Sequence, residues 1–179
     1  IKALYVKESE LENAVAINAT KGRAYDTLQS AITAVNTDGI ENTIRLLKDT
    51  NESIITSNGQ NLVLDLNGKV VTSGTQTGIS NYAELLVKDS SEENNGCIKI
   101  LDNTTSNKSY GIFNYNSGTI TITGGNINVT SNRYYVYGVF NYNKGTVSID
   151  GGSVNVTGLS DSYYKYGVCN NGQGNVTVK

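Results

Sequence analysis

Two clusters of tyrosines, 29 residues apart, are the residues of this chain best suited to bind a ligand. The clusters and the basic residues beside them are Tyr134, Tyr135, Tyr137 and Arg133, then Tyr163, Tyr164, Tyr166 and Lys165. Tyrosine combines apolar ring area with a polar tip, which suits sugar rings and protein partners alike. The structural alternative is that the rings only cover a corner of the fold and pack on one another.

Carboxylates are the residues that would carry catalysis here, and they are scattered along the chain. Polysaccharide-cleaving sites need carboxylates clustered around Ca²⁺ or paired as acid and base. Asp65 with Lys69 and Lys88 is the best candidate, but isolated Asp residues near strand ends are typical of solvated turns. The chain also has no His, the commonest general base and metal ligand. We therefore expect no catalytic residues, no metal site and no cofactor.

Composition narrows the class of partner. The formal net charge of -2 comes from 14 basic and 16 acidic residues spread along the sequence, so no basic stripe is present to neutralise phosphates. We expect no nucleic-acid partner. Apolar runs fall far short of the ~20 residues that span a bilayer, so we expect no membrane insertion of this fragment. Cys97 and Cys169 lie at non-equivalent places in different repeats, and we interpret both as isolated small hydrophobic residues.

The elements that position the tyrosines belong to an internal repeat. Gly111, Gly138 and Gly167 recur after 27 and then 29 residues, and each is followed by short segments of alternating apolar and polar residues. Alternation of period two is typical of half-buried strands, so Ile120 and Ile122 should point inward and the threonines beside them outward. A more degenerate copy begins at Gly78. The connections are too short for crossover helices, so the chain must turn corners instead.

Three strands joined by corners form one coil, and successive coils stack with their strands in parallel. The pattern predicts an all-β fold, a single-stranded parallel β-helix (solenoid) of about five coils. Asn114, Asn141 and Asn170 occupy the same place in three units. Stacking should therefore place them in a structural ladder of hydrogen-bonded side-chain amides.

The N-terminal part differs from the repeats. Residues 25–36 place Leu28, Ala31, Ile32 and Val35 on one face of a helix. Such a helix could cap the open interior of the first coil. We predict an N-terminal cap over 1–40, an extended segment plus this amphipathic helix, and a parallel β-helix over 41–179 that is truncated in mid-coil. Because the chain lacks Met, we expect a piece of a longer precursor, with end-to-end self-association through the uncovered strands at its C-terminal end.

Several stretches resemble a known family. They are residues 25–32 (YDTLQSAI), 43–49 (TIRLLKD) and 61–69 (NLVLDLNGK), followed by units of Tyr-Gly-Ile/Val-Phe-Asn with Gly-Gly turns. The chain resembles the right-handed parallel β-helix (pectate-lyase-like) regions of secreted or wall-attached, adhesin-like surface proteins of Gram-positive bacteria. The resemblance implies a right-handed coil and a secreted or cell-surface location.

Two functions are compatible with that resemblance. The first is a non-catalytic surface module, either a structural stalk or an adhesin-like binder of host or cell-wall glycans or of a surface protein through its lateral face. The alternative is a polysaccharide lyase or glycoside hydrolase of the pectate-lyase-like fold, or its inactive remnant. One fold carries both kinds of activity, so the site has to decide between them.

Overall fold

A computed structural model describes residues 8–102, 104–158 and 163–179 of the chain. The N-terminal elements are α1 (Glu8–Leu11), β1 (Ala16–Asn18), β2 (Arg23–Tyr25) and α2 (Leu28–Thr33). The strands that follow come in sets of three: β3 (Glu41–Leu46), β4 (Thr50–Asn51), β5 (Ile54–Ile55); β6 (Asn61–Asp65), β7 (Val70–Ser73), β8 (Thr77–Asn81); β9 (Glu84–Lys88), β10 (Cys97–Leu101), β11 (Lys108–Asn114); β12 (Thr119–Ile122), β13 (Asn126–Ser131), β14 (Tyr135–Asn143); β15 (Thr146–Ile149), β16 (Ser153–Gly158), β17 (Tyr164–Gly172); and finally β18 (Asn175–Val178).

Each strand of a set belongs to a different sheet. Sheet A has the order β18-β15-β12-β9-β6-β3-β1-β2, sheet B the order β16-β13-β10-β7-β4, and sheet C the order β17-β14-β11-β8-β5. All pairs are parallel except the antiparallel pairs of β1 with β2 and with β3. The predicted all-β parallel solenoid is confirmed. It has about four turns, close to the predicted five coils, and its first set contains the two-residue strands β4 and β5.

The register of the sheets follows from the repeat. Ile120 pairs with Val147 and Val147 with Val176, so equivalent residues of successive units lie side by side. Ile120 and Ile122 point inward and are fully buried, as the alternation predicts. One cluster of buried aliphatic side chains fills the interior from Ala16 to Ile149. Each such side chain contributes about 1.5 to 3 kcal/mol on burial, so this cluster is the main source of stability.

Helix α2 packs against the first coils. Its side chains Leu28, Ala31 and Ile32 are buried in the same cluster as Ile44 and Ile54. The helix begins after Thr27, whose hydroxyl oxygen accepts a hydrogen bond from the Ser30 N–H at 3.0 Å. These contacts place the helix over the interior of the solenoid, where an amphipathic helix was expected.

Polar side chains fasten α2 to the strands beneath it. The Glu52 carboxylate accepts hydrogen bonds from the Leu28 and Gln29 N–H groups, each at 2.9 Å. At the other end of α2, Gln60 Nε2 donates to the carbonyls of Ile32 and Val35 at 2.8 and 2.9 Å. Orphan backbone groups of the helix are thus satisfied by the first coils.

The N-terminal edges of the sheets are covered. On sheet A, β1 and β2 add antiparallel strands to β3. On sheet C, the Gln29 side-chain amide bonds both backbone groups of Ile55, accepting from its N–H at 2.8 Å and donating to its carbonyl at 3.0 Å. A side-chain amide therefore takes the place of a neighbouring strand along this short edge.

Candidate binding surface

The two tyrosine clusters lie side by side on sheet C. Tyr135 is in register with Tyr164, and Tyr137 with Tyr166. The ring centroids of these pairs are 5.1 and 5.3 Å apart, and their planes are within 12° of parallel. Repetition of the sequence therefore becomes columns of stacked rings along the solenoid.

Tyr137 belongs to an apolar cluster on the outside of sheet C. Tyr110 stacks on Tyr137 at 5.2 Å, and both rings pack on Phe140. All three are buried, with exposed fractions of 4 to 7%. Burial raises the pKa of Tyr110 to about 12 and also raises the pKa of Tyr137. Because stacking covers the ring faces, Tyr137 fills the packing role considered for these tyrosines.

Tyr134 and Tyr163 sit in the corner that precedes β14 and β17. Their centroids are 4.9 Å apart with planes inclined by 35°, and Tyr134 also lies 5.4 Å from Tyr164. Tyr163 is 73% exposed, whereas Tyr134 and Tyr164 are 41 and 44% exposed. We name Tyr134, Tyr135, Tyr163 and Tyr164 the tyrosine edge, since these rings form one continuous group that reaches solvent.

The two basic residues predicted beside the tyrosines do not join this group. Arg133 directs its Nε to Asp102 Oδ2 at 3.6 Å, and the Asp102 side chain is fully buried. Lys165 is exposed but alternates with Tyr164 and Tyr166 along β17, so its side chain leaves the opposite side of the strand. Lys108 instead lies over the Tyr135 ring at 5.8 Å. The repeat could have revealed Lys108, because it stands 27 residues before Tyr135 in the same register.

Asparagines form a ladder at the corner after sheet C. Asn114 Nδ2 donates to Asn141 Oδ1 at 2.8 Å, and Asn141 Nδ2 donates to Asn170 Oδ1 at 2.9 Å. Asn81 extends the ladder in the other direction, donating to Asn114 Oδ1 at 2.8 Å. Each amide also bonds a carbonyl of its own corner, as Asn114 does with Gly118 at 2.7 Å. The ladder therefore joins the corners of successive coils.

The carboxylates are held by structural hydrogen bonds. Asp65 is fully buried, which overturns the expectation of a solvated turn residue. Its Oδ2 accepts from Arg45 Nε at 3.0 Å, while Oδ1 accepts from the N–H groups of Asn67 and Ser90. Alternation had placed Asp65 outward correctly, but Arg45 and the corner segments of two coils cover that position. Neither Lys69 nor Lys88 forms an ion pair with it within the described residues.

Asp89 has the same kind of role one coil later. Its two oxygens accept from the backbone N–H groups of Gly68, Ser91 and Gly96 at 2.5 to 3.1 Å. These backbone bonds keep the pKa of Asp89 low although burial opposes this. The carboxylate thereby ties the long connection between β9 and β10 to the preceding turn.

Other site types are not supported in the described part of the chain. Cys97 and Cys169 are both free thiols. Residues 8–102, 104–158 and 163–179 contain no group of three or more His, Cys, Asp or Glu side chains able to hold a metal ion. In the same residues, no helix has the length and apolar character needed to cross a membrane.

Comparisons with known proteins give no relative to transfer a function from. No protein-family model, no curated protein and no solved structure matches the chain. The function therefore has to be argued from the surface itself.

Proposed function

We propose that the chain is a non-catalytic module of a secreted or cell-surface protein that binds glycan or protein through the tyrosine edge. The observation that carries the proposal is the exposure of Tyr134, Tyr163 and Tyr164 as one contiguous aromatic group. Phenol rings supply apolar contact area together with hydroxyl groups, at a low cost in side-chain entropy. Exposed aromatic groups of this kind are typical of recognition surfaces.

The scaffold supports recognition because it fixes the tyrosines in place. Tyr135 and Tyr164 stand on long paired strands, and Tyr135 is further held by Lys108. A rigid surface loses little conformational entropy when a ligand binds. The secreted or surface location is part of the same proposal and rests on the resemblance to adhesin-like β-helix regions.

A lyase or hydrolase of this fold is the alternative function. It would need carboxylates that are free to move protons or to bind a cation. Asp65 and Asp89 instead use their oxygens to hold backbone and Arg45 groups in place. This use of the carboxylates favours the binding module over the enzyme.

A binding screen tests the proposal. Wild-type protein and the double variant Tyr134→Ala with Tyr163→Ala would be applied to glycan and mucin arrays, together with the variant Tyr135→Ala with Tyr164→Ala. The double variant Tyr82→Ala with Tyr115→Ala serves as the control, because it removes two stacked rings elsewhere on sheet C. We expect both edge variants to lose binding by tenfold or more and the control to retain it. Equal binding by all variants would remove the tyrosine edge from consideration.

End-to-end self-association of the fragment stays a prediction. Light scattering over a wide concentration range measures it directly. A mass that stays monomeric throughout would count against it.

A further inference from the structure

A groove runs along the corner at the opposite end of sheet C from the tyrosine edge. It has a volume of about 470 Å³ and is lined by Asn116, Ser117, Asn143, Lys144, Gly172 and Gln173. This volume falls within the range of small-molecule sites in proteins, roughly 300 to 1,000 Å³. Tyr142, 40% exposed, directly precedes Asn143 on the outside of β14.

The fold builds this groove in advance of any ligand. Asn116 and Asn143 both have left-handed backbone conformations, with φ of 53° and 62°. The side-chain amide of Asn143 donates to Asn116 Oδ1 at 3.2 Å, and the Lys144 N–H donates to the Asn116 carbonyl at 2.9 Å. The Asn143 carbonyl in turn accepts from the Gly174 N–H at 2.8 Å. Corners of three successive coils are thus aligned, which limits the ordering that binding would require.

The lining has the chemistry of a site for a hydroxylated anion. Amide, hydroxyl and ammonium groups line the groove, and none of the lining residues is acidic. Within the described residues, Lys144 forms no ion pair, since the cations that do are Arg45, Arg133 and Lys179. An unpaired ammonium forms strong, charge-assisted hydrogen bonds with an anionic oxygen, while amides and hydroxyls match sugar hydroxyls.

We propose that this groove binds a saccharide that carries an anionic group, with Lys144 contacting the anion and the corner amides contacting sugar hydroxyls. The anionic group is a carboxylate or a sulfate ester, since both present oxygens to an ammonium. The proposal goes beyond the tyrosine edge, because the two sites lie at opposite ends of the strands β14 and β17. Either site can therefore exist without the other.

Equilibrium binding to matched tetrasaccharides tests this site. The probes are chitotetraose (neutral), a hyaluronan tetrasaccharide (carboxylate) and a chondroitin sulfate tetrasaccharide (carboxylate and sulfate). We expect wild type to prefer an anionic probe over the neutral one, and we expect Lys144→Gln to weaken that binding about tenfold. Asn143→Gly keeps a residue suited to positive φ but removes the amide, and it should weaken binding of all probes that bind. Added salt should weaken anionic binding in wild type.

Lys99→Gln is the matched control, because it removes the same charge from an exposed position on sheet B. It should bind like wild type. The double variant Tyr135→Ala with Tyr164→Ala separates the two proposals, since binding that depends on Lys144 should survive it. A neutral probe bound as tightly as the anionic ones, equal affinities of Lys144→Gln and Lys99→Gln, or no binding of any probe would overturn the proposal.

Discussion

At the scale of single residues, asparagine side chains join the coils at one corner. Asn81, Asn114, Asn141 and Asn170 form a column in which each amide spans two coils. Three of these side chains are fully buried. A buried amide that loses its partner costs about 1 to 3 kcal/mol, so the middle of the ladder should be sensitive to substitution.

Asn114→Ala tests the ladder. The substitution removes the acceptor of Asn81 and the donor to Asn141 and Gly118, so the free energy of unfolding should fall by about 2 to 4 kcal/mol. Urea unfolding measures the loss. Asn155→Ala is the control, since Asn155 is exposed and bonded only to neighbouring surface side chains, and its cost should stay below about 0.5 kcal/mol. Equal costs for the two variants would refute the structural importance of the ladder.

Tyr110 should make stability depend on alkaline pH. Its pKa is raised by burial from 10.0 to about 12. Above pH 10 the unfolded chain loses this proton while the folded chain retains it, so rising pH favours unfolding. The contribution of Tyr110 is complete below the unfolded pKa and decreases by about 1.4 kcal/mol per pH unit between the two pKa values.

Urea unfolding between pH 9 and 12 checks this dependence, with tyrosinate absorbance as a second measurement. Tyr110→Phe should make the decrease in stability with pH smaller. Tyr115 and Tyr137, whose pKa values burial also raises, account for the part that remains. An identical pH dependence in wild type and Tyr110→Phe would show that this ring is not buried as described.

At the scale of elements, close approach between strands restricts the repeated glycine. A Cβ atom at Gly138 would lie 2.5 Å from the Gly167 carbonyl oxygen and closer still to a Val154 methyl group. At Gly167, the equivalent position of β17, nothing lies within 4 Å of such an atom. The same residue type is therefore required for packing in one unit and not in the next.

Gly138→Ala and Gly167→Ala form a matched pair of substitutions. We expect Gly138→Ala to cost about 1 to 3 kcal/mol through overpacking between β14, β16 and β17. Gly167→Ala should leave the free energy of unfolding within about 0.5 kcal/mol of wild type. Thermal or urea unfolding of both variants provides the comparison. A larger loss from Gly167→Ala than from Gly138→Ala would contradict the packing of these strands.

Helix α2 depends on the side chain of Gln60. Gln60→Ala removes the donors to the Ile32 and Val35 carbonyls and leaves the end of the helix unsatisfied. We expect faster amide hydrogen exchange over residues 28–35, with a loss of about 1 to 3 kcal/mol in local stability. Exchange in β12 should not change, because this strand is paired on both sides away from the helix. Unchanged exchange in the helix would show that Gln60 does not hold it.

At the scale of the whole molecule, the repeat explains why the fold could be predicted. Units 27 residues long with alternating Ile and Val leave few alternatives to a stack of parallel strands, and the same spacing brings Asn114 and Asn141 together. Burial of outward residues could not be predicted in this way. Alternation gives the direction of Tyr137 and Asp65, but stacked rings and the Arg45 side chain from a neighbouring coil determine how much solvent reaches them.

Arg133 shows the same limit at the candidate site. Its neighbours in sequence are tyrosines, which suggested a basic rim for a ligand. Its partner is Asp102, which lies in the preceding coil at a position that the repeat does not mark. A contact between non-equivalent positions of two coils leaves no periodic signal in the sequence.

The most direct test of the proposed function maps ligand contacts on the tyrosine rings. The chain has 12 tyrosines, and ring-selective ¹³C labelling allows all of them to be followed by NMR while released mucin O-glycans are added. If the tyrosine edge is the recognition surface, the signals of Tyr134, Tyr163 and Tyr164 should shift in a saturable manner, while the buried rings of Tyr110 and Tyr137 should not. Shifts confined to other tyrosines, or none at all, would contradict the account.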